Sequence, residues 1–227
     1  VLAAAGADLV EVGERLGDGR RRVRLLAPAE QVLAAGSIPL PPYIHEPLAD
    51  TERYQTVYAA CPGSVAAPTA GLHLTHQVLD RCRDRGATVV DLDLAIGLGT
   101  FQPVIATRAE DHVMHVERYR VSPATMDACR QARRVIAVGT TTVRALESAA
   151  ATGELTGRSD LFIRGDYPFL LVDVLLTNFH QPRSTLLLLL EAFCGPGWRD
   201  LYRTALDSGY RFLSFGDAML VGRSGPG

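Results

Sequence analysis

Hydrophobic and polar positions follow two different rhythms from residue 75 to the end of the chain. Stretches with apolar residues three or four positions apart, the spacing of one helix face, are separated by short continuous apolar runs that are typical of buried strands. We predict strands over residues 88–96, 135–138, 161–163 and 169–176, with a last one inside residues 210–221. Strands that alternate with helices predict βα units around a mostly parallel sheet, and therefore an α/β fold.

The helices between these strands are predicted from the residues that start and stop helices. A hydroxyl side chain before an apolar repeat caps a helix, a proline suits its first turn and a glycine ends it. These signals predict helices that follow Thr75, begin at Pro123, cover residues 141–150, follow Ser184 and cover residues 198–208.

The first 35 residues have a different pattern. Their apolar runs are short and are broken by Gly13, Gly17 and Gly19. Such runs between glycines predict an antiparallel hairpin rather than βα units. We therefore treat residues 1–35 and residues 36–227 as different parts of the chain.

Composition narrows the class of protein. Of the 227 residues, 47% are hydrophobic, which is enough to bury a sizeable core. The four cysteines form no CxxC or Cys/His cluster, which argues against a zinc site and a disulfide framework and favours a reducing cytoplasm. The longest apolar run, residues 186–193, is interrupted by Glu191 and is too short to span a bilayer, so we expect no membrane partner.

Every one of the 23 basic residues counted as Lys or Arg is an arginine. The absence of lysine excludes Schiff-base catalysis by lysine and a P-loop lysine. A formal net charge of −2 gives no global attraction to nucleic acid, so any RNA contact must come from a local arginine patch. Candidate arginines on predicted exposed helix faces are Arg81, Arg85, Arg130, Arg133 and Arg134.

Small residues dominate residues 62–73, just before the first predicted helix. Small side chains let a ligand approach the backbone, and the amino end of the helix favours an anion. The candidates for ligand contact in this segment are Thr69, Gly71 and His73. A tight surface loop in which His73 merely packs explains the same residues.

Two further segments lie around a predicted strand end and an alternating stretch. Gly97, Gly99 and Thr100 follow a strand, where α/β sheets usually bind ligands, although the stretch is not a GxGxxG motif. His115 and Glu117 would share one face of an extended strand and could act as an acid/base pair. The same alternation fits an exposed edge strand with solvated side chains.

Thr140, Thr141 and Arg144 lie where a predicted strand turns into a helix. The free N–H groups and hydroxyls of such a turn suit a carboxylate or a phosphate. Arg144 is also one helical turn from Glu147. An ordinary βα turn with a surface ion pair therefore remains an alternative.

Polar residues also interrupt the last two predicted strands. Asp173 lies inside an apolar run, where a buried carboxylate needs a partner, and Asn178 and His180 follow that run. Arg211 and Asp217 lie in the otherwise apolar terminal strand. The polar residues in and after the first strand favour a functional site. Arg211 and Asp217 fit a functional site or a buried structural ion pair equally well.

In their order and wording, these segments together resemble the S-adenosylmethionine:tRNA ribosyltransferase-isomerase family, which acts in queuosine biosynthesis. The matching stretches are residues 38–44, 54–59, 65–73, 97–101, 114–119, 137–148, 177–180 and 216–220. The resemblance covers about residues 36–221. Each stretch by itself is ambiguous. This many stretches in the family's order are specific for the family.

The resemblance implies a large α/β domain, like a distorted barrel, that carries a small inserted β-barrel domain. Residues 1–35 would be the tail of the small β-barrel domain, and residues 36–227 would be the large α/β catalytic domain. Family members begin well before the match, so we expect the chain to be incomplete at its amino terminus. The complete protein is expected to be a monomer.

The resemblance also implies an activity. The ribosyl part of S-adenosylmethionine would move onto a 7-aminomethyl-7-deazaguanine in a tRNA anticodon loop, giving epoxyqueuosine and releasing adenine and methionine. S-adenosylmethionine is then a substrate, and no metal or bound cofactor is needed. Its sulfonium acidifies the C5′ hydrogens, so a positioned base can start the reaction. The candidate acid/base residues are His73, His115 and His180, with Glu117 and Asp173 as carboxylates.

The remaining polar candidates are assigned to substrate binding. Thr140, Thr141 and Arg144 would hold the methionine carboxylate or a tRNA phosphate. Two alternatives stay open: a paralogue that uses S-adenosylmethionine on a different acceptor, and a non-catalytic RNA-binding homologue.

The chain departs from the family's pattern in two places. Ala95 stands where the family typically has a histidine before the glycine-rich turn, and alanine cannot move a proton. Arg164 and Asp166 add opposite charges to a turn that is normally neutral. We expect S-adenosylmethionine binding to be retained, and either turnover of the usual tRNA to be reduced or the acceptor to be altered.

Overall fold

The fold is a mixed α/β arrangement of small sheets and short helices in a computed structural model. The described residues are 2–4, 6–17, 20–46, 48–61, 63–97, 114 and 116–225.

The amino-terminal sheet is antiparallel, as the pattern predicts for the first 35 residues. Its strands are β1 (Leu2–Ala4), β2 (Ala7–Gly17) and β3 (Arg20–Leu25), in the order β1-β2-β3. A short helix, α1 (Ala29–Ala34), follows.

The second sheet is also antiparallel and consists of β4 (Asp93–Ala95), β5 (Glu117–Arg120) and β7 (Thr156–Ser159), in the order β4-β5-β7. In β5 the side chains of Glu117 and Tyr119 are buried, whereas the two arginines that alternate with them are exposed. The alternating pattern therefore belongs to a half-buried central strand, and the edge-strand interpretation is wrong.

The third sheet contains β6 (Ile136–Val138), β8 (Val174–Asn178) and β9 (Ala218–Gly222), in the order β6-β8-β9. β6 and β8 are parallel, with Ala137 opposite Leu175. β9 runs antiparallel to β8 on the other side. Among the described residues, β6 and β8 are the one parallel pair of strands. The prediction of a mostly parallel sheet is therefore wrong.

Five longer helices follow the predicted order. They are α2 (His76–Asp84), α3 (Pro123–Gln131), α4 (Thr140–Thr152), α5 (Thr185–Cys194) and α6 (Trp198–Asp207). Two of the predicted caps are confirmed, since Val78 N–H donates to Thr75 Oγ1 at 3.2 Å and Thr125 N–H donates to Ser122 Oγ at 3.0 Å. Ser184 precedes α5 but makes no such capping bond.

Three predicted strands are shorter or displaced. Residues 88–92 stay outside the sheet, and β4 begins only at Asp93. Residues 161–163 form no strand, because β5 pairs instead with the preceding residues of β7. Residues 169–173 are irregular because the Glu147 carboxylate binds the backbone N–H groups of three consecutive residues, from 170 to 172.

The main core lies between the third sheet and helices α4 and α5. Val143 of α4, Leu175 of β8 and Phe193 of α5 are each 0% exposed. Burying an aliphatic or aromatic side chain of this size stabilises the fold by about 1.5–3 kcal/mol. Because α4 starts at the end of β6, this packing also holds the start of α4 against the ends of β6 and β8.

Candidate functional site

The candidate site lies where the parallel strands β6 and β8 end. Sheets with parallel strands usually bind ligands at these carboxyl ends. After β6 the chain turns at Gly139, whose φ of 93° favours glycine, and enters α4. A short 3-10 turn, Thr69–His73, packs here, and its Ala70 lies 3.9 Å from the position of a Cβ on Gly139. Four segments that are distant in sequence therefore meet: Thr69–His73, the start of α4, the end of β8 and the residues before β9.

Asn178, the last residue of β8, connects these segments through its side-chain amide. Its Oδ1 accepts a hydrogen bond from Thr69 Oγ1 at 3.1 Å, and its Nδ2 lies 3.1 Å from His73 Nε2 and 3.5 Å from the backbone oxygen of Asp217. Asn178 is 4% exposed, whereas His73 is exposed. The network joins a buried amide to an imidazole that a ligand can reach.

The residue that precedes α4, Gly139, has no side chain and therefore caps none of the first N–H groups of the helix. Thr140 is buried and Thr141 is half-buried at this end, directly after the Gly139 turn. The first N–H groups of a helix have no partner within the helix and carry partial positive charge. This end can therefore bind a carboxylate or a phosphate, as the sequence predicts.

Gly71 is required by a close contact inside the Thr69–His73 turn. A Cβ at this position would overlap the Tyr58 hydroxyl and would lie 3.0 Å from Thr56 Cγ2. Burial raises the pKa of Tyr58 above its ordinary value, although Thr56 opposes the rise. We did not predict a role for Tyr58, although it lies in the matched stretch 54–59. The sequence feature that could have indicated this contact is an aromatic residue directly followed by small residues.

Residues 210–217 form a strained turn, rather than the predicted strand. The Asp217 carboxylate accepts the backbone N–H of Arg211 at 2.7 Å, and the Arg211 side chain is exposed. Leu213 has a φ of 72°, which is uncommon for a bulky residue, and its N–H donates to Phe179 O at 3.0 Å. Such strain often occurs near functional sites. Asp217 therefore shapes the turn beside Asn178 and makes no ion pair with the Arg211 side chain.

His180 is held beside the end of β8. Its Nε2 lies 3.0 Å from Thr177 Oγ1, and its backbone N–H donates to the Tyr202 hydroxyl at 2.8 Å. Burial lowers the pKa of His180 to about 4. The ring is therefore neutral at neutral pH.

Glu117 and Arg144 are paired with each other, away from these groups. Arg144 NH1 lies 2.8 Å from Glu117 Oε2, both side chains are 7% exposed, and Arg144 Nε donates to Leu161 O at 3.0 Å. Burial raises the pKa of Glu117, and Arg144 opposes that rise. The pair joins α4 to β5. The alternative of a surface ion pair between Arg144 and Glu147 is wrong, because both residues are buried and bind other groups.

Asp173 lies at the opposite end of β8 from Asn178. Its Oδ2 accepts the backbone N–H of Val135 at 2.9 Å, and its Oδ1 is 3.4 Å from Arg223 NH2. The structure therefore does not bring Asp173 to His73 or His180. Its partners account for the carboxylate in an apolar run.

The glycine-rich segment can be placed only in part. Gly97 follows β4 and is exposed, and no atom of the described residues lies within 4 Å of a Cβ built there. Gly99, Thr100 and His115 lie outside the described residues.

Within the part of the chain that the structure describes, no group of three His, Cys, Asp or Glu residues could hold a metal ion. In the same part, no helix is long and apolar enough to cross a membrane.

A helix start, a buried amide and an exposed imidazole meet at the ends of the parallel strands of this mixed α/β fold, the position where such sheets usually bind ligands. The chain belongs to the queuosine biosynthesis protein family, whose model matches residues 3–221. The prediction of the family is confirmed.

Named relatives and a solved structure agree with this family. The chain is 50% identical over 222 residues to an S-adenosylmethionine:tRNA ribosyltransferase-isomerase of Rubrobacter xylanophilus, which covers 97% of this chain and 66% of that protein. It is 49% identical over 226 residues to one of Desulfitobacterium hafniense, with coverage of 93% and 65%. The crystal structure of an S-adenosylmethionine tRNA ribosyltransferase from Thermotoga maritima matches with a TM-score of 0.56 and 40% identity, over 66% of this chain and 50% of that chain. The chain thus spans about 65% of the length of these curated relatives.

Proposed function

We propose that the protein transfers and isomerises the ribosyl part of S-adenosylmethionine onto a 7-aminomethyl-7-deazaguanine in a tRNA anticodon loop. The product would be epoxyqueuosine, with release of adenine and methionine. The observation that carries this proposal is the Thr69–Asn178–His73 network beside the uncapped start of α4, in a chain of this family. The helix start would supply the anion site and the network would supply the imidazole, both at the ends of β6 and β8.

The methionine part of the substrate fits the start of α4. Its carboxylate would accept hydrogen bonds from the first N–H groups of the helix and from Thr140 or Thr141. Arg144 is left out of this site because its guanidinium binds Glu117 and a backbone carbonyl. A tRNA phosphate is the other anion that this helix end could hold.

The chemistry begins with loss of a proton from C5′. The positive sulfur stabilises the resulting carbanion. Its electron pair forms a C4′–C5′ double bond as the C4′–O4′ bond breaks, the released oxygen pair forms a carbonyl with C1′, and the bond from C1′ to adenine breaks with its electron pair on the purine. The candidate bases are His73, His115 and His180. Thr69 and Asn178 hold the ring of His73 in place, and a closed site would protect the intermediates from water.

The larger assembly is proposed in the same terms. Residues 1–35 would belong to a small β-barrel domain, and residues 36–227 would belong to a distorted-barrel-like α/β domain. The protein would be a cytoplasmic monomer that binds tRNA through its exposed arginines, with S-adenosylmethionine as substrate and no bound cofactor.

A different acceptor is the second candidate, and one observation favours it. Ala95 is exposed at the end of β4, where the family resemblance implies a histidine. If that histidine carries a proton in the reaction, alanine removes this group. Binding of S-adenosylmethionine would then be retained while the acceptor differs.

Adenine release tests the proposal. The protein is incubated with S-adenosylmethionine and tRNA carrying the aminomethyl base, and adenine is measured by chromatography. The control is the same tRNA with unmodified guanine. Release that requires the aminomethyl base supports the proposal. Release with another acceptor supports the second candidate, and binding without any release would leave a non-catalytic RNA-binding protein.

Single-turnover rates then test the set of bases. Replacing the catalytic histidine by alanine should slow adenine release by about 10² or more. Rates within a few fold of the unmodified protein for all three variants would exclude the whole set.

A further inference from the structure

The orientation of the Asn178 amide is set by the residue before β9. Asn178 pairs with Ala218 in the sheet, which places the backbone oxygen of Asp217 3.5 Å from Asn178 Nδ2. A carbonyl oxygen only accepts hydrogen bonds, so the amide nitrogen, and not the amide oxygen, must face it. The opposite side of the amide is compatible with this orientation, because the Thr69 hydroxyl, which can donate or accept, donates to Oδ1 at 3.1 Å. The Asp217 carbonyl is therefore the group that sets the orientation of the amide.

This orientation decides which nitrogen of His73 carries the proton. Asn178 Nδ2 is a donor and lies 3.1 Å from His73 Nε2. Nε2 must therefore offer its lone pair. In a neutral imidazole the proton then sits on Nδ1. Among the described residues, Nδ1 has no hydrogen-bond partner, and the side chain is exposed.

We propose that Asn178 is a positioning residue that holds His73 as the Nδ1–H tautomer, so that His73 meets the substrate as a hydrogen-bond donor and not as the base. This rests on the proposed function, in which His73 lies against the substrate. The lone pair that a base needs is occupied by Asn178. The base is then another group.

The donor suits a substrate atom that gains negative charge. When the bond between adenine and the ribose breaks, its electron pair moves onto the purine. A hydrogen bond from Nδ1–H stabilises that charge without full proton transfer, which would leave an imidazolate. The ligand atom is therefore an acceptor, such as a purine nitrogen or a ribose oxygen.

Nitrogen-15 NMR of the free protein reads the tautomer directly and needs no substrate. With histidine labelled at both ring nitrogens, His73 is assigned by comparison with the His73→Gln variant, at a pH where the ring is neutral. We expect Nδ1 to resonate as a protonated nitrogen and Nε2 as an unprotonated one. A protonated Nε2 overturns the proposal.

Two variants separate the amide from the rest of the network. Asn178→Asp has a carboxylate, which only accepts, so the proton of His73 should move to Nε2. Thr69→Val removes the hydroxyl but keeps the Asp217 carbonyl, so the tautomer should stay. A tautomer that is the same in Asn178→Asp as in the unmodified protein overturns the role of Asn178. If Asn178→Asp does not fold, the Thr69→Val spectrum and that of the unmodified protein decide.

Activity tests the donor role. The amide nitrogen of Asn in His73→Asn lies near the position of Nδ1, and that of Gln in His73→Gln lies near Nε2. We expect adenine release by His73→Asn to stay within about tenfold of the unmodified protein, and His73→Gln to lose about 10²–10³, the effect of removing one such donor. Equal loss in both variants, or a faster His73→Gln, overturns the proposal. Failure of the unmodified protein to release adenine contradicts the proposed function instead, and NMR still decides the tautomer.

Discussion

Glu117 and Arg144 form a buried ion pair, with 2.8 Å between the carboxylate and guanidinium atoms and 7% of each side chain exposed. The pair joins β5 of the second sheet to α4, whose first turn is the proposed anion site. It therefore links the second sheet to the proposed site at the end of the third sheet.

Removing one partner of this pair should be costly. Arg144→Ala leaves the Glu117 carboxylate buried without its charge partner, and we expect the free energy of unfolding to fall by about 3–5 kcal/mol. Denaturant titration measures the loss. The double variant Arg144→Met with Glu117→Leu should lose less, because no charge stays buried. Arg203→Ala, which removes an exposed pair with Asp200, is the control and should change little. Equal effects of Arg144→Ala and Arg203→Ala would contradict this role.

Stability should depend on pH through His180. Burial lowers the pKa of the folded ring to about 4 from its ordinary value of 6.5. Between these values the unfolded ring binds a proton that the folded ring does not, so stabilisation is complete above pH 6.5 and is lost as the pH falls through 4. The stability difference between the unmodified protein and His180→Asn should shrink by at most about 3 kcal/mol from pH 7 to pH 4. A difference that is constant with pH would show that the ring is not buried in its neutral form.

The Thr69–His73 turn should not tolerate a side chain at position 71. Gly71→Ala places a Cβ against the Tyr58 hydroxyl and 3.0 Å from Thr56 Cγ2, so either these side chains or the turn must move, and a shift of the turn would carry His73 away from Asn178. We expect a loss of about 1–3 kcal/mol in the free energy of unfolding, with a larger relative loss of S-adenosylmethionine affinity. Gly197→Ala is the control, because no described atom lies within 4 Å of a Cβ built on Gly197. A Gly71→Ala variant that binds S-adenosylmethionine as well as Gly197→Ala does would contradict the contact.

Ala95→His places at the end of β4 the imidazole that the family resemblance implies there. The Ala95 side chain is exposed, so the larger ring can be accommodated. We expect tRNA-dependent adenine release to rise, with S-adenosylmethionine affinity unchanged. If the unmodified protein already turns over as fast as a typical family member, Ala95 is a neutral substitution and the altered-function hypothesis fails.

Arginines on two helices should contribute to tRNA affinity. Arg81 and Arg130 lie on α2 and α3, Arg85, Arg133 and Arg134 follow these helices, and all five are exposed. Replacing them by glutamine should weaken tRNA binding and make its salt dependence less steep, because fewer counterions are released from the RNA. Filter binding at several salt concentrations measures both. Affinity of the unmodified protein that does not change with salt would rule out this surface.

Helices were easier to predict than strands, and local signals explain the difference. Thr75 and the Ser122–Pro123 pair lie next to the helices that they start, so the sequence shows them directly. A strand depends on a partner that is distant in sequence. The apolar run at residues 169–173 resembles a strand, yet Glu147 takes three of the backbone N–H groups that follow residue 169.

The site was predicted in its parts but not in its connections. Polar residues at strand ends pointed to Asn178, His73 and Thr69, and the structure brings these three together. Asp173 was selected by the same reasoning, but it lies at the other end of its strand and binds Val135. The hydrogen bond between Asn178 and His73 joins residues 105 positions apart, so no local sequence pattern predicts it.

Transfer of labelled ribose tests the central claim most directly. S-adenosylmethionine labelled with carbon-14 in the ribose is incubated with the protein and tRNA bearing the aminomethyl base, and radioactivity in the purified tRNA is counted. The account predicts label in the tRNA in proportion to the adenine released, and much less label with His73→Ala. Adenine release without label in the tRNA, or equal labelling by His73→Ala, would contradict it.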